Sequence, residues 1–374
     1  MRERRPGVWE LRVYVGRDPV TNNPRQQTRT FHGGKRAAQS ALSKLVTEVG
    51  EGKLAGTNAT LGLLLDRYLE HLDRKGLSPQ TLHAYRRYVT LHLKPALGAK
   101  AVRKLTAWDL DQFYAALTDG GKSAATVRQA HAILSGALGQ AVKWGWAPAN
   151  VARSASPPVV HQRKVTAPSI EQVRALVAAA EDRDPILAAL LMLAAITGAR
   201  RGELCAIRWT DVDLIAGQLR IAHAILDLPG RVEIKDTKSH QERTLALGEA
   251  GVALLELHRQ AVEDRALRGE TELLADAFLF SERLDGATPV RPDKVTRFFT
   301  TVRDELKMPA LHLHGFRHFV ASQLAARGDV SVRTLAGRLG HADASVTMRV
   351  YAAFMPSADV EAADHLGRAL NPGT

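Results

Sequence analysis

Four short segments in the C-terminal half of the chain carry side chains that could act together on an anionic substrate. They read Thr-Gly-Ala-Arg-Arg-Gly-Glu-Leu at 197–204, Asp-Thr-Lys-Ser-His at 236–240, His-Gly-Phe-Arg-His at 314–318, and Leu-Gly-His at 339–341 followed by Tyr351. Guanidinium groups bind phosphate oxygens as rigid forks, histidine and lysine transfer protons, and an activated tyrosine hydroxyl is a nucleophile. Each segment alone is a weak signal, because Thr-Gly usually ends a helix and a single tyrosine usually packs in a core.

Taken in this order, the four segments resemble the catalytic signature of the tyrosine recombinases, in particular the phage-integrase branch. The resemblance covers residues 165–374 and extends to the framing sequences Trp-Thr-Asp-Val-Asp-Leu at 209–214 and Ala-Ser-Gln-Leu at 321–324. It implies a site-specific DNA recombinase that integrates or excises a phage or other mobile element. No G-x-x-x-x-G-K-[ST] phosphate loop is present, in keeping with a reaction that needs no ATP.

The resemblance assigns six catalytic residues: Arg200, Lys238, His314, Arg317, His341 and Tyr351. Attack on a phosphodiester builds negative charge on the non-bridging oxygens, which the two arginine forks would neutralise. His314 lies three residues before Arg317, so on a helix both side chains would share one face and reach one phosphate. The resemblance gives His314 proton transfer or phosphate binding, and it gives His341 a further hydrogen bond there.

Tyr351 matches the family nucleophile, whose attack gives a 3′-phosphotyrosine that a 5′-hydroxyl of another strand can reverse. The ordinary pKa of tyrosine is about 10, so Tyr351 needs a neighbouring base or positive charge. The leaving 5′-oxygen needs a proton, which the family takes from a lysine on a β-hairpin. Lys238 fits this role best, and Lys235 stays an alternative. Glu203 matches an acidic residue expected to orient Arg200.

Metal and thiol chemistry are disfavoured. His312, His314 and His318 cluster, and the last two have the i, i+4 spacing found in zinc sites, but no cysteine or obvious carboxylate completes a ligand set. Cys205 is the single cysteine, cannot form an intramolecular disulfide, and is expected to be a small buried core residue. We therefore expect neither a metal nor a cofactor.

Positive charge is concentrated at the N-terminal end. Net charge is +6 over residues 1–56, +9 over 57–164 and −3 over 165–374, for a total of +12. The N-terminal part should therefore supply most of the attraction to DNA phosphates. The longest apolar run, Ile186–Ile196, is 11 residues, about half of the ~20 needed to cross a bilayer. A cytoplasmic protein that binds no membrane is the expectation.

Periodicity predicts a small β-sheet plus one helix over 1–56, because apolar and polar residues alternate over Trp9–Val15 and Arg25–Phe31. This segment resembles the arm-type DNA-binding domain of the family, with a plain β/α cap as the alternative. Residues 57–152 show helical spacing throughout and predict a bundle of about four helices, which resembles the family's core-binding domain.

Residues 153–168 combine proline, serine and basic residues without periodicity, which predicts a linker. Residues 169–374 then form the predicted mixed α+β catalytic domain. Its strands are expected near Leu219–Ile225, Arg231–Lys235 and Arg243–Leu247. The fold class predicted for the whole chain is multidomain and mainly α, with small β-sheets.

The resemblance implies four kinds of partner: double-stranded DNA with core-type and arm-type sites, three further protomers in a homotetramer on DNA, a DNA-bending factor and an excision factor. The tail after Tyr351 has apolar residues at helical spacing and predicts a helix packed on a neighbouring protomer or on its own domain. Two rival functions stay open. The basic segment 1–56 disfavours a recombinase that resolves chromosome dimers, and the filled catalytic positions disfavour a DNA-binding regulator that does not cut.

Overall fold

The computed structural model divides into two compact units, Met1–Gln162 and Arg163–Thr374. It describes residues 1–17, 24–50, 59–160, 167–236, 242–327 and 330–340. Both units are mainly helical with small antiparallel sheets, which confirms the predicted fold class. Within the described ranges, no helix has the length and apolar character needed to cross a membrane.

The first unit opens with a three-stranded antiparallel sheet and a helix. Its elements are β1 (Arg2–Arg5), β2 (Val8–Arg17), β3 (Pro24–His32) and α1 (Lys35–Gly50), with the strand order β1-β2-β3. Leu11 packs with Ala38 and Leu45 of α1 in a small core. The two predicted strands are confirmed. β1 was not predicted because all four of its residues are charged and exposed, so they show no apolar alternation.

A helical bundle follows in the first unit. Its elements are α2 (Leu61–Arg74), α3 (Pro79–Tyr88), a π-helical turn (Val89–Leu93), α4 (Lys94–Leu97), a 3-10 turn (Val102–Lys104), α5 (Ala107–Asp119), α6 (Ala124–Lys143) and a second 3-10 turn (Val151–Ser154). Its core is separate from that of the sheet and contains Leu64, Leu65, Ile133 and Leu134, all fully buried. Along α2, the buried residues Leu61, Leu65 and Leu69 recur every four positions, as the predicted bundle requires.

Seven helices of the second unit are described: α7 (Ile170–Glu181), α8 (Pro185–Thr197), α9 (Arg201–Ala206), α10 (Gly248–Arg268), α11 (Pro292–Glu305), α12 (Gly315–Ala326) and α13 (Val332–Leu339). α8 is apolar almost all round and therefore lies in the centre of the core. Asp184 caps its first turn by accepting hydrogen bonds of 3.1 Å from the amides of Ile186 and Leu187.

Five short strands lie between α9 and α10: β4 (Val212–Asp213), β5 (Gln218–Ile221), β6 (His223–Leu228), β7 (Arg231–Asp236) and β8 (Arg243–Ala246). They form a sheet of order β4-β5-β8 and a separate β6-β7 hairpin. The strand structure predicted near Leu219–Ile225 is confirmed, but it divides into two strands, because Ile221 pairs with Arg243 whereas His223 pairs with Asp236. Leu219 and Ile221 are buried whereas His223 is exposed, so the burial alternation is interrupted where the partner changes.

Candidate active site

Arg200 is oriented by a buried carboxylate one helical turn away. It directly precedes α9, and its Nη1 donates a 2.7 Å hydrogen bond to Glu203 Oε1 while its backbone amide donates a 2.9 Å bond to Oε2. The Glu203 side chain is only 3% exposed, against 39% for Arg200. Burial raises the pKa of Glu203, but hydrogen bonds and charge from Arg243 and Arg200 outweigh it and leave the pKa lowered. Glu203 is therefore an ionised anchor for Arg200.

Arg317 is the more deeply buried of the two arginines. It lies in the first turn of α12, is 4% exposed, and donates a 3.1 Å hydrogen bond from Nη1 to the Gly198 carbonyl. Its Nη2 is buried and has no hydrogen-bond partner within the described part of the chain. Burial, followed by repulsion from Arg200, lowers the pKa of Arg317 to about 9, so the guanidinium still carries its charge at neutral pH. A buried cationic donor without a partner would be satisfied by a bound anion.

His314 lies immediately before α12, and its ring is 5.1 Å from that of His318, centroid to centroid. The residue is exposed on one side. Desolvation of its ring, followed by repulsion from His318, Arg317 and Arg200, lowers the pKa of His314 to about 4. The imidazole is therefore neutral at pH 7 and has one nitrogen free to accept a proton or hydrogen bond.

The end of α13 brings the fourth segment to Arg200. Nη2 of Arg200 donates a 3.0 Å hydrogen bond to the Gly340 carbonyl. Arg338 ties the same helix to the core, because its guanidinium donates to the carbonyls of Ile196 at 3.0 Å and Ala246 at 3.2 Å. His341 is the next residue in the sequence after Gly340.

The β6-β7 hairpin packs on α9 through a glycine. A Cβ at Gly202 would lie 2.7 Å from the Ile225 carbonyl oxygen, so any larger residue would push the hairpin away from Arg200. Lys235 is exposed on β7, opposite Ala224 of β6. Asp227 fixes the turn end of the hairpin by accepting hydrogen bonds from Arg291 Nη2 at 2.6 Å and the Asp293 amide at 3.2 Å.

The structure thus brings together three of the six predicted catalytic residues: Arg200, His314 and Arg317. The other three, Lys238, His341 and Tyr351, lie outside the described residues, as does the predicted C-terminal helix. Their roles stay predictions.

The described ranges hold no cluster of three His, Cys, Asp or Glu side chains placed to bind a metal. His312 is exposed, and burial, followed by repulsion from neighbouring groups, lowers the pKa of both His314 and His318. Cys205 is fully buried, which confirms the sequence interpretation, and burial raises its pKa to about 12. Such a thiol is not a nucleophile at neutral pH.

Sequence reasoning missed Arg243 and Arg338, which hold the site together from β8 and α13. One feature of the sequence could have identified Arg243. It lies two residues before the buried Leu245, so a strand places both on the inward face. A charged residue on an inward face requires a buried partner, which here is Glu203 at 2.6 Å.

Comparison with known proteins agrees with this fold. The model of the phage integrase family matches residues 169–356, and that of the phage integrase N-terminal SAM-like domain matches residues 65–136. The chain therefore belongs to the phage integrase family and is a tyrosine recombinase of the integrase type. This confirms the resemblance drawn from the four segments.

Relatives and solved structures cover almost the whole chain. It is 23% identical to a tyrosine recombinase XerC-like protein of Caldanaerobacter subterraneus subsp. tengcongensis, over 96% of this chain and 95% of the relative. It is 22% identical to the ICEBs1 integrase of Bacillus subtilis, over 96% and 97%. Its fold is similar to that of lambda integrase in a tetramer bound to a Holliday junction, with a TM-score of 0.61 at 20% identity, over 88% of this chain and 93% of that one.

Proposed function

We propose that this integrase cuts and rejoins DNA at specific sites to insert a phage or other mobile element into a chromosome and to excise it. The observation that carries the proposal is the buried Nη2 of Arg317, a cationic donor that lacks a partner among the described side chains. Arg200 lies close enough to lower the pKa of Arg317 by repulsion. Two guanidinium groups held this close to each other suit one phosphodiester, whose two non-bridging oxygens gain charge during attack.

In the proposed reaction, the Tyr351 phenolic oxygen attacks the scissile phosphorus and the bond from phosphorus to the 5′-oxygen breaks. His314, neutral at pH 7, takes or shares the phenolic proton, and Arg200 and Arg317 stabilise the charge on the phosphate. Lys238, with Lys235 as the alternative, gives a proton to the leaving 5′-oxygen. His341 adds a hydrogen bond to the phosphate. Attack of a 5′-hydroxyl from another strand on the phosphotyrosine reverses these steps and joins the new strand.

The proposed division of labour follows the charge distribution. Residues 1–56 would bind arm-type sites, 57–152 the core site, and 169–374 would catalyse, with 153–168 as linker. The open face of the N-terminal sheet supports the first assignment, since Arg12 and Tyr14 are exposed while Leu11, on the opposite face of the strand, is buried. A β-sheet with basic and aromatic residues on its free face suits a DNA groove.

We also propose that four protomers act together on two duplexes, because strand exchange needs two cuts on each duplex. A DNA-bending factor and an excision factor would set the direction of the reaction. Bacterial DNA lies in the cytoplasm, so the reaction would take place there.

A test begins by selecting duplexes from a randomised DNA pool that the full chain retains. The selected site is then nicked near the cleavage position, so that religation is lost, and incubated with the protein without metal or nucleotide. We expect a protein-DNA adduct on a denaturing gel that is absent with Tyr351→Phe. Tight binding without an adduct would favour the regulator that does not cut, and an adduct that persists in Tyr351→Phe would assign another nucleophile.

One observation favours a second function, the resolution of chromosome dimers, because one relative is named a XerC-like recombinase. Arg12→Glu on the open sheet face separates the two functions in the full chain. For an integrase, this variant should recombine poorly on long sites with arm sequences and normally on short core sites. An unchanged rate on every site would favour dimer resolution.

A further inference from the structure

Arg243 lies behind the two arginines, on the inward face of β8. Its side chain is only 9% exposed. Nη2 donates a 2.6 Å hydrogen bond to Glu203 Oε2, and Nε donates a 3.1 Å bond to the Arg338 carbonyl. One guanidinium therefore bridges two acceptors that belong to different helices, α9 and α13.

Glu203 is shared between two arginines. Its Oε2 accepts from Arg243 and from the Arg200 amide, and its Oε1 accepts from Nη1 of Arg200. The carboxylate plane is fixed by donors on both oxygens, so it presents Oε1 to Arg200 in one orientation. Without Arg243, the carboxylate would keep only donors from Arg200 and could rotate with it.

The C-terminal end of α13 is held by the same pair of arginines. Arg200 donates to the Gly340 carbonyl and Arg243 to the Arg338 carbonyl. The last carbonyls of a helix lack partners within it and interact favourably with cations. Gly340 has a φ of +64°, and a Cβ there would lie 2.7 Å from Arg243 Nη1, so the helix end fits against this guanidinium.

These contacts form a closed ring from Arg200 through Glu203 and Arg243 to the end of α13, and back to Arg200. We propose that Arg243 is a positioning residue, which fixes the Arg200 guanidinium at the scissile phosphate by holding Glu203 and the end of α13 in one arrangement. This inference rests on the proposed function of Arg200. Lysine cannot replace Arg243, because one ammonium group lacks the planar fork that spans the carboxylate and the carbonyl.

The test compares single-turnover cleavage of the selected nicked duplex by wild type, Arg243→Lys and a control. Arg220→Lys on β5 is the matched control, since Arg220 also bridges two acceptors, the carboxylates of Asp211 at 3.2 Å and Glu242 at 3.0 Å, but is 49% exposed. At saturating DNA we expect Arg243→Lys to cleave about 10- to 100-fold more slowly with unchanged DNA affinity. The control should cleave at the wild-type rate. A wild-type rate for Arg243→Lys would overturn the inference.

A second substrate separates positioning of Arg200 from general support of the fold. It carries a methylphosphonate at the scissile position, which is neutral and depends less on a cationic partner. The defects of Arg243→Lys and Arg200→Gln, each relative to wild type, should both shrink on it. An equal Arg243→Lys defect on both substrates would contradict positioning and leave a structural role.

Arg243→Gln is the second variant in case Arg243→Lys unfolds, because it keeps a donor and removes the buried charge. Thermal melting of each variant establishes that it is folded. Its cleavage rates on the phosphodiester and the methylphosphonate then decide whether residue 243 positions Arg200. Absence of any adduct with the wild-type chain on the natural phosphodiester would contradict the proposed function itself. If only the inference about Arg243 is wrong, the wild-type chain still forms the adduct.

Discussion

Nη2 of Arg200 donates a 3.0 Å hydrogen bond to the carbonyl of Gly340, which lies 140 residues further along the chain. The bond joins the first of the four chemical segments to the last. His341 follows Gly340 directly in the sequence, so the bond from Arg200 fixes the position of the residue that precedes His341. Glu203 and Arg243 form a second connection between Arg200 and the end of α13.

Replacement of Arg317 should separate stability from activity. Burial lowers the pKa of Arg317 to about 9, so the folded protein holds the charged form at a cost in free energy. We expect Arg317→Met to lower the single-turnover cleavage rate by at least about 10²-fold. The unfolding midpoint should rise, by about 2–4 °C for each kcal/mol gained.

Arg297→Met on α11 is the control, since that side chain is 75% exposed and pairs only with Asp293 at 3.1 Å among the described ion pairs. Arg297→Met should change neither the cleavage rate nor the unfolding midpoint. A lower midpoint for Arg317→Met would show that its bond to the Gly198 carbonyl outweighs the cost of burying its charge.

The pKa of His314 makes stability depend on pH. Its pKa is about 4 in the folded chain against 6.5 ordinarily, so between these values the unfolded chain binds a proton that the folded chain does not. Stability should therefore fall as pH falls from about 6.5 to about 4. His314→Gln should lose less of its melting midpoint than wild type between about pH 7.5 and about pH 4.5. His312→Gln, at an exposed histidine of the same segment, should follow wild type.

The sequence predicted Arg200, His314 and Arg317 together through the resemblance of its four segments to the tyrosine recombinases, and the three-residue spacing of His314 and Arg317 agreed with it. The 11-residue apolar run Ile186–Ile196 indicates a buried helix, and α8 is that helix. The sequence could not predict the ring through Arg243, since that contact joins β8 to α9 and α13 and depends on tertiary packing. It also could not predict the break at Ala222, because the hydrogen-bonding partner of each strand, which changes there, is set by the tertiary fold.

Gly202 should tolerate no side chain. A Cβ there would lie 2.7 Å from the Ile225 carbonyl oxygen, closer than van der Waals contact allows. We expect Gly202→Ala to destabilise the catalytic unit by about 1–3 kcal/mol in urea unfolding and to slow cleavage by displacing the hairpin. Gly337→Ala in α13 is the matched control, because no atom lies within 4 Å of its Cβ position. It should stabilise by about 0.5–1 kcal/mol through helix propensity. If the two variants have equal free energies of unfolding, the hairpin moves to accommodate the Cβ without loss of stability.

The choice between Lys238 and Lys235 can be made by changing the leaving group. A substrate with sulfur in place of the bridging 5′-oxygen releases a thiolate, which is a far better leaving group and needs no proton. We expect Lys238→Ala to cleave the ordinary substrate about 10²–10⁴-fold more slowly than wild type and the sulfur substrate at the wild-type rate. Lys235→Ala, on the exposed surface of β7, should match wild type on both. If the rescue by sulfur occurs with Lys235→Ala instead, Lys235 donates the proton, and if neither variant is rescued, the proton comes from another group.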